Sequence, residues 1–234
     1  LSMPFVGCPG FDADARLGKP LASMMERFSH LGLVAAFDAW ADAGLARKPA
    51  EGEDRDSWGC IWGTALGGIL AFERGYRDMW LKSRERLSPL SVVMGMNNAV
   101  NAHASIQLGL GGVSFSHTAA CASSAIAIGE AFRRIQAGDA ELILTGGCDA
   151  TQTYGVAKAW EAMRLIAPGE GEAAAAACRP FAADRKGLVL GEGAAALVLE
   201  DWDHAVARGA RIHAEMVGYG STCDHQHLVR PAVG

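Results

Sequence analysis

Short apolar runs bounded by glycine alternate along this chain with longer stretches in which apolar residues recur every three or four positions. Trp58-Gly59-Cys60-Ile61-Trp62-Gly63 is of the first kind and predicts a buried strand. Ala140–Thr145, ending in Gly146-Gly147, and Ala194–Leu199, entered through Leu188–Gly193, read the same way. Gly112–Phe115 predicts a short strand, and Arg211–Tyr219 a last one closed by Gly220 and Ser221. Helical spacing marks Met24–Ala43, with Met25, Phe28 and Leu31 inward, Ser23 as cap and Gly44 as stop. It marks Thr64–Asp78 after the Gly67-Gly68 pair, Ala125–Ala137, Tyr154–Ile166 and Asp201–Arg208. Residues 1–22, Arg47–Asp56 and Ala167–Cys178 read as loops. This alternation predicts an α/β class, a layered sandwich whose sheet is covered by helices on both faces.

One stretch departs from the amphipathic rule. Ser88–Leu108 is long enough for a helix but carries no charged residue, mixing apolar side chains with Asn97, Asn98, Asn101 and His103. A helix without a charged face is either buried in its own chain or covered by another subunit, and both readings stand.

Composition narrows the function classes. The 234 residues are 50% hydrophobic and 20% charged, enough to bury a sizeable core. A net charge of -5 argues against nucleic acid as a partner. The six cysteines, at 8, 60, 121, 148, 178 and 223, lack metal-type spacing, so reduced thiols, no metal and a cytoplasmic location are expected. No window approaches the roughly 18 uninterrupted apolar residues of a membrane span. Leu1-Ser2-Met3-Pro4 lacks a basic start, an apolar signal core and an initiator Met.

The candidate chemistry centres on Cys121. The predicted strand Gly112–Phe115 precedes it and the predicted helix Ala125–Ala137 follows. Ala125, Ile128, Phe132 and Ile135 give that helix one apolar face, Arg133 and Arg134 suit its C-terminal end, and Gly138 stops it. Cys121 therefore lies at a strand-to-helix turn, on the end of a helix dipole that favours negative charge. Two readings of such a cysteine compete: a nucleophilic thiol, or a small hydrophobe filling an alanine-rich turn. Ser123 and Ser124 read as helix-capping groups rather than nucleophiles. Gly191-Glu192-Gly193 lacks the Lys and hydroxyl order of a phosphate loop.

Ala119-Ala120-Cys121-Ala122-Ser123-Ser124 resembles the nucleophile turn of β-ketoacyl-acyl carrier protein synthases. Ala137–Glu141 with Thr145–Ala150, then Cys178–Phe181 with Gly187–Ala194, are similar to that family's next segments in order. Gly218–Thr222 followed by Asp224–His227 resembles the run that carries its first catalytic histidine, and Met25–Phe28 with Asp42–Leu45 its early helix. The resemblance implies a thiolase-like fold with a mixed sheet, Cys121 as the acyl-accepting nucleophile and His227 as the histidine of the decarboxylation step. It gives no role to His225 or Cys148, and His117, just before the turn, is left as a local hydrogen-bonding group.

By the same resemblance the activity is decarboxylative Claisen condensation of an acyl thioester with malonyl-carrier, in fatty-acid or polyketide synthesis. It implies no cofactor, acyl- and malonyl-loaded acyl carrier protein as partner, and a homodimer or a heterodimer with a related subunit. The competing readings are a non-catalytic chain-length-factor-like subunit and a degradative thiolase. Residues 1–234 would be the N-terminal domain, truncated at both ends, with 221–234 opening the C-terminal half. The family's second histidine, its lysine and its later glycine-rich loop are absent up to Gly234. Lys186 stands where members carry acids, and Val229 where many carry threonine.

Overall fold

The computed structural model describes residues 4–170 and 172–232; Leu1–Met3, Gly171 of the expected 167–178 loop, and Val233–Gly234 of the 221–234 segment lie outside them. In chain order the elements are β1 (Phe5–Val6), α1 (Ala13–Leu17), α2 (Lys19–Ala22), α3 (Arg27–Asp42), β2 (Trp58–Gly63), α4 (Ile69–Leu81), α5 (Leu90–Gly95), α6 (Ala99–Leu108), β3 (Ser114–His117), α7 (Ser123–Gln136), β4 (Leu142–Ala150), α8 (Tyr154–Ala162), α9 (Glu172–Ala175), β5 (Leu190–Glu200) and α10 (Trp202–Ala207). The strands form one mixed sheet in the order β1-β5-β4-β2-β3. β4 pairs antiparallel with β5, and the other neighbours are parallel.

Strand side chains alternate between faces, and the two cores follow from that alternation. Trp58, Cys60 and Trp62 of β2 and Leu142 and Leu144 of β4 pack with Phe28, Leu33, Phe37 and Trp40 of α3 and Val100 and Leu108 of α6. The intervening Ile61 and Ile143 face the other way, against Ala127 and Ala131 of α7. The sheet is thus covered on both faces, as the pattern predicts. On α7 the buried positions are Ser123, Ala127, Gly129 and Ala131, not Ile128 and Phe132. Small side chains let this helix lie close on the strands, which a search for large apolar residues misses.

Other boundaries moved for reasons outside the local sequence. β4 runs through Gly146-Gly147, where it is paired on both sides, to Ala150, held there by β5 alone; a Cβ at Gly146 would lie 2.2 Å from the Ala195 carbonyl oxygen. The uncharged stretch 88–108 is two helices. They break at Gly95–Asn98, where a Cβ on Gly95 would lie 2.2 Å from the Phe72 ring of α4. α6 enters the core of its own chain through Ala99, Val100, Asn101, Ala104 and Leu108, whereas α5 buries nothing. α3 starts at Arg27 and not Met24: Ser29 and Glu26 exchange hydrogen bonds at its start, and Ser23 turns back to the Pro20 carbonyl.

Residues 211–219, expected as a strand, have no sheet partner among the described residues and run as irregular, largely exposed chain. A strand exists only through a neighbour's hydrogen bonds, so the alternating pattern by itself does not make one. Glu192, in the run rejected as a phosphate loop, is a staple. Its carboxylate takes the Arg27 guanidinium at 2.6 Å and the Cys8 N–H at 2.9 Å, tying β5 to α3 and to the chain after β1. The Arg27 hydrogen bond holds this carboxyl below its ordinary value. No helix of the described residues is long and apolar enough to cross a membrane.

Candidate active site

β3 pairs in parallel with β2, Cys60 opposite Ser114 through Gly63 opposite His117, and delivers the chain to the turn Thr118–Ala122. Ala120 has φ 48°, the left-handed region that costs an L-residue about 1–2 kcal/mol. Such strain persists only where the surroundings over-determine it. Here Ser123, buried at the start of α7, accepts the Ala119 N–H at 2.9 Å and donates to the Ala120 carbonyl at 2.6 Å. The Ala122 N–H also returns to Ala119 O at 3.1 Å. Ser123 was expected to cap the helix; it closes the turn around Cys121 instead, because its hydroxyl reaches back to the strained residue. The thiol of Cys121 is exposed at the tip.

Two absent side chains seat this turn. A Cβ on Gly63 would lie 2.4 Å from the Ser123 carbonyl carbon, and one on Gly147 would lie 2.5 Å from Ser124 Cβ. The N-terminus of α7 therefore rests directly on the ends of β2 and β4. Before the turn, Asn101 of α6 donates to the carbonyls of Cys60 and Phe115, at 2.9 and 2.7 Å, and accepts the Ser116 hydroxyl at 2.7 Å. Asn97 donates to Thr118 Oγ1 at 2.9 Å. Sequence reasoning noted these amides without assigning them a role. The available signal was physical: a buried amide such as Asn101 must find hydrogen-bond partners.

Cys178 and Cys223 are exposed as Cys121 is, whereas Cys148 and Cys60 differ from it by burial. Cys148 is buried, accepts the Trp62 indole N–H at 3.2 Å and is pushed up to about 12 by burial; Cys60 is likewise pushed up to about 12. A thiol held protonated in a core is inert as a nucleophile. His117 packs edge-on against Phe115, and its buried Nε2 has no hydrogen-bond partner among the described residues. His225 is exposed.

His227 lies in an exposed loop held by its own backbone. Asp224 accepts the N–H groups of Gln226 and Ala232, which keep its carboxyl below the ordinary range. His227 Nδ1 accepts the N–H groups of Val229 and Arg230, each at 3.1 Å, so the ring proton sits on Nε2. The segment leading there crosses α7, where Tyr219 covers Gly129 and lies under Arg133 at 4.9 Å. No hydrogen bond joins His227 to Cys121 among the described residues. An apolar groove of about 380 Å³ lies between α4 and α8, lined by Phe72, Tyr76, Trp80 and Val156; no residue of the Cys121 turn lines it. Among the described residues no three His, Cys, Asp or Glu side chains gather as metal ligands would.

An exposed cysteine next to a strained alanine, between a parallel strand and a helix N-terminus in this sheet order, defines the class. The family described as β-ketoacyl synthase, N-terminal domain, matches residues 7–205, and the chain belongs to that family. It is 44% identical to nodulation protein E of Rhizobium sp. (strain N33) over 209 residues, 89% of this chain and 50% of that protein. It is 37% identical to 3-oxoacyl-[acyl-carrier-protein] synthase 2 of Staphylococcus aureus (strain N315), over 95% of this chain and 52% of that protein. A β-ketoacyl synthase from Burkholderia phymatum STM815 superposes with a TM-score of 0.84 at 32% identity, covering 96% of this chain and 54% of that one. The ishigamide ketosynthase/chain length factor gives 0.82 at 28%, over 94% and 53%. The fold is the thiolase-like sandwich of these ketosynthases, and the chain spans about half the length of the relatives it matches.

Proposed function

We propose that this chain carries the nucleophile of a β-ketoacyl-acyl carrier protein synthase, an acyltransferase making 3-ketoacyl thioesters. The observation that carries the reading is the exposed Cys121 on a strained turn at the N-terminus of α7. Cys121 Sγ, as the thiolate, attacks the carbonyl carbon of a carrier-bound acyl thioester. The carrier thiol leaves and takes up a proton, and the acyl chain stays on the enzyme. Backbone N–H groups at the turn, that of Cys121 first, suit the oxyanion of this step; such a donor is worth about 10²–10³ in rate.

Malonyl-carrier next loses carbon dioxide, and the electron pair of the broken C–C bond becomes an enolate. His227, with its proton on Nε2, is the donor to the enolate oxygen. The enolate carbon attacks the acyl-Cys121 carbonyl, Cys121 leaves as the thiolate, and the product is two carbons longer. Acyl carrier protein is the partner in this reading, the assembly a homodimer or heterodimer, the location cytoplasmic, and 221–234 the opening of the C-terminal half. The chain-length-factor-like alternative draws support from the ishigamide neighbour and is opposed by the retained Cys121.

The test is acyl transfer from an acyl-carrier to the protein as its gene encodes it in full. Mass spectrometry should find the acyl group on Cys121. Acylation of Cys121→Ala at the wild-type rate overturns the assignment. Condensation appearing only after a second, related subunit is added favours the alternative.

A further inference from the structure

We propose that Asp149, next to last in β4, is a positioning residue for the Cys121 turn, an inference that rests on the acyl-transfer reading above. One Asp149 carboxylate organises the four residues that leave β2. Its Oδ1 accepts the Thr64 hydroxyl at 3.0 Å and the Leu66 N–H at 3.2 Å, and its Oδ2 accepts the Ala65 N–H at 2.9 Å. Thr64 Oγ1 in turn accepts the Gly67 N–H at 3.2 Å.

This loop grips the nucleophile turn from both sides. Thr64 is fully buried, and its N–H donates to the carbonyl of His117 at 3.2 Å, four residues before Cys121. Gly63, one residue earlier, abuts the backbone of Ser123 and Ser124, just after it. Gly67, at φ 53°, abuts Asn97, which donates to Thr118. The carboxylate touches neither Cys121 nor its neighbours; it acts through Thr64 and the loop. The strain at Ala120 makes this support matter, since a left-handed alanine relaxes once its neighbours loosen.

A carboxylate is the group this site needs. It presents only acceptors to three donors, whereas an amide of the same shape turns an NH₂ towards a donor. Asp149→Asn is therefore expected to lower kcat for acyl transfer to Cys121 by about 10- to 10²-fold, the effect of a small misplacement. KM for the acyl-carrier stays within about threefold, because the substrate contacts remain. Alkylation of Cys121 by iodoacetamide, which needs an accessible thiol but no oxyanion site, also stays within about threefold of wild type.

Glu200→Gln is the control for stability alone. Glu200 accepts His204 Nδ1 and the Arg208 guanidinium, each at 2.6 Å, away from the turn, so its loss lowers the melting midpoint and leaves kcat unchanged. If Asp149→Asn does not fold, Thr64→Val, which removes one of the three bonds to Asp149 and the acceptor of the Gly67 N–H, carries the test and should lower kcat with KM held. A wild-type kcat in the folded variant overturns the proposal. So does a parallel fall of acyl transfer and alkylation that tracks the melting midpoint. Acylation that persists unchanged in Cys121→Ala overturns the functional reading and this proposal with it. A silent Asp149→Asn in an enzyme that needs Cys121 overturns this proposal alone.

Discussion

Cys121 and His227 are held in opposite ways. The cysteine sits on a turn closed by part-buried hydrogen bonds from Ser123 and backed by buried Thr64, distant in sequence, whose N–H donates to the His117 carbonyl. The histidine sits on a loop whose hydrogen bonds are exposed and come from within eight residues. Buried bonds over-determine a strained geometry, while exposed local bonds compete with water and leave a loop easily displaced. The half-reaction at Cys121 should therefore tolerate changes that disable the half-reaction at His227, and the reverse should fail.

The largest expected break of this contrast is Cys121→Ala, which should reduce acyl transfer to background and leave the enolate formed at His227 with no acyl-enzyme to attack. His227→Ala should cost condensation about 10²–10³-fold, one lost donor to the developing charge, with acylation of Cys121 near wild type. Two alanine substitutions then separate the two supports. Gly147→Ala drives a Cβ into Ser124 and should cost about 1–3 kcal/mol of stability along with slower acyl transfer. Gly129→Ala drives its Cβ into the Tyr219 ring, 2.1 Å away, yet removes a glycine from a helix interior, a gain of up to about 1 kcal/mol. It should undock the segment that leads to His227, seen as faster proteolysis near Tyr219 and slower condensation, with acyl transfer unchanged. A variant that slows both half-reactions equally would erase the contrast.

The smallest effect on rate is expected from Glu192→Gln, which loosens the staple between β5 and α3 and lies outside both supports. Its cost is stability, about 2 kcal/mol for a partly shielded ion pair. The folded carboxyl of Glu192 lies below its ordinary value of 4.5, so its contribution is present above that pH and lost as pH falls through the lowered value. Denaturant titrations at pH 7 and in acid should show the gap between wild type and Glu192→Gln narrowing on acidification. A gap that widens in acid would contradict this assignment.

Where local pattern and final contacts coincide, the sequence was legible. Trp58–Gly63 alternates between two cores and bears buried residues throughout, so its composition announced a strand. The helix after Cys121 was visible from its end signals, although its buried face was misjudged because alanines face the sheet. The break after Gly95 was hidden, as was the reason for a glycine there, which lies against the Phe72 ring of another helix. Ser123 was recognised as a helix-start residue, but only the turn's geometry shows that its hydroxyl holds Ala119 and Ala120.

The sequence by itself determined the α/β class and the family, and singled out Cys121 as the candidate nucleophile, because apolar periodicity and ordered motifs are properties of the chain alone. Tertiary structure alone decided that Asn97, Asn101 and Gly63 meet the strand and turn around Cys121, that Asp149 holds the loop after β2, and that residues 211–219 form no strand among the described residues. The reason is that hydrogen bonds and close contacts between distant segments have no local signature. An asparagine, a glycine or an alternating run carries its meaning only once a partner stands across from it.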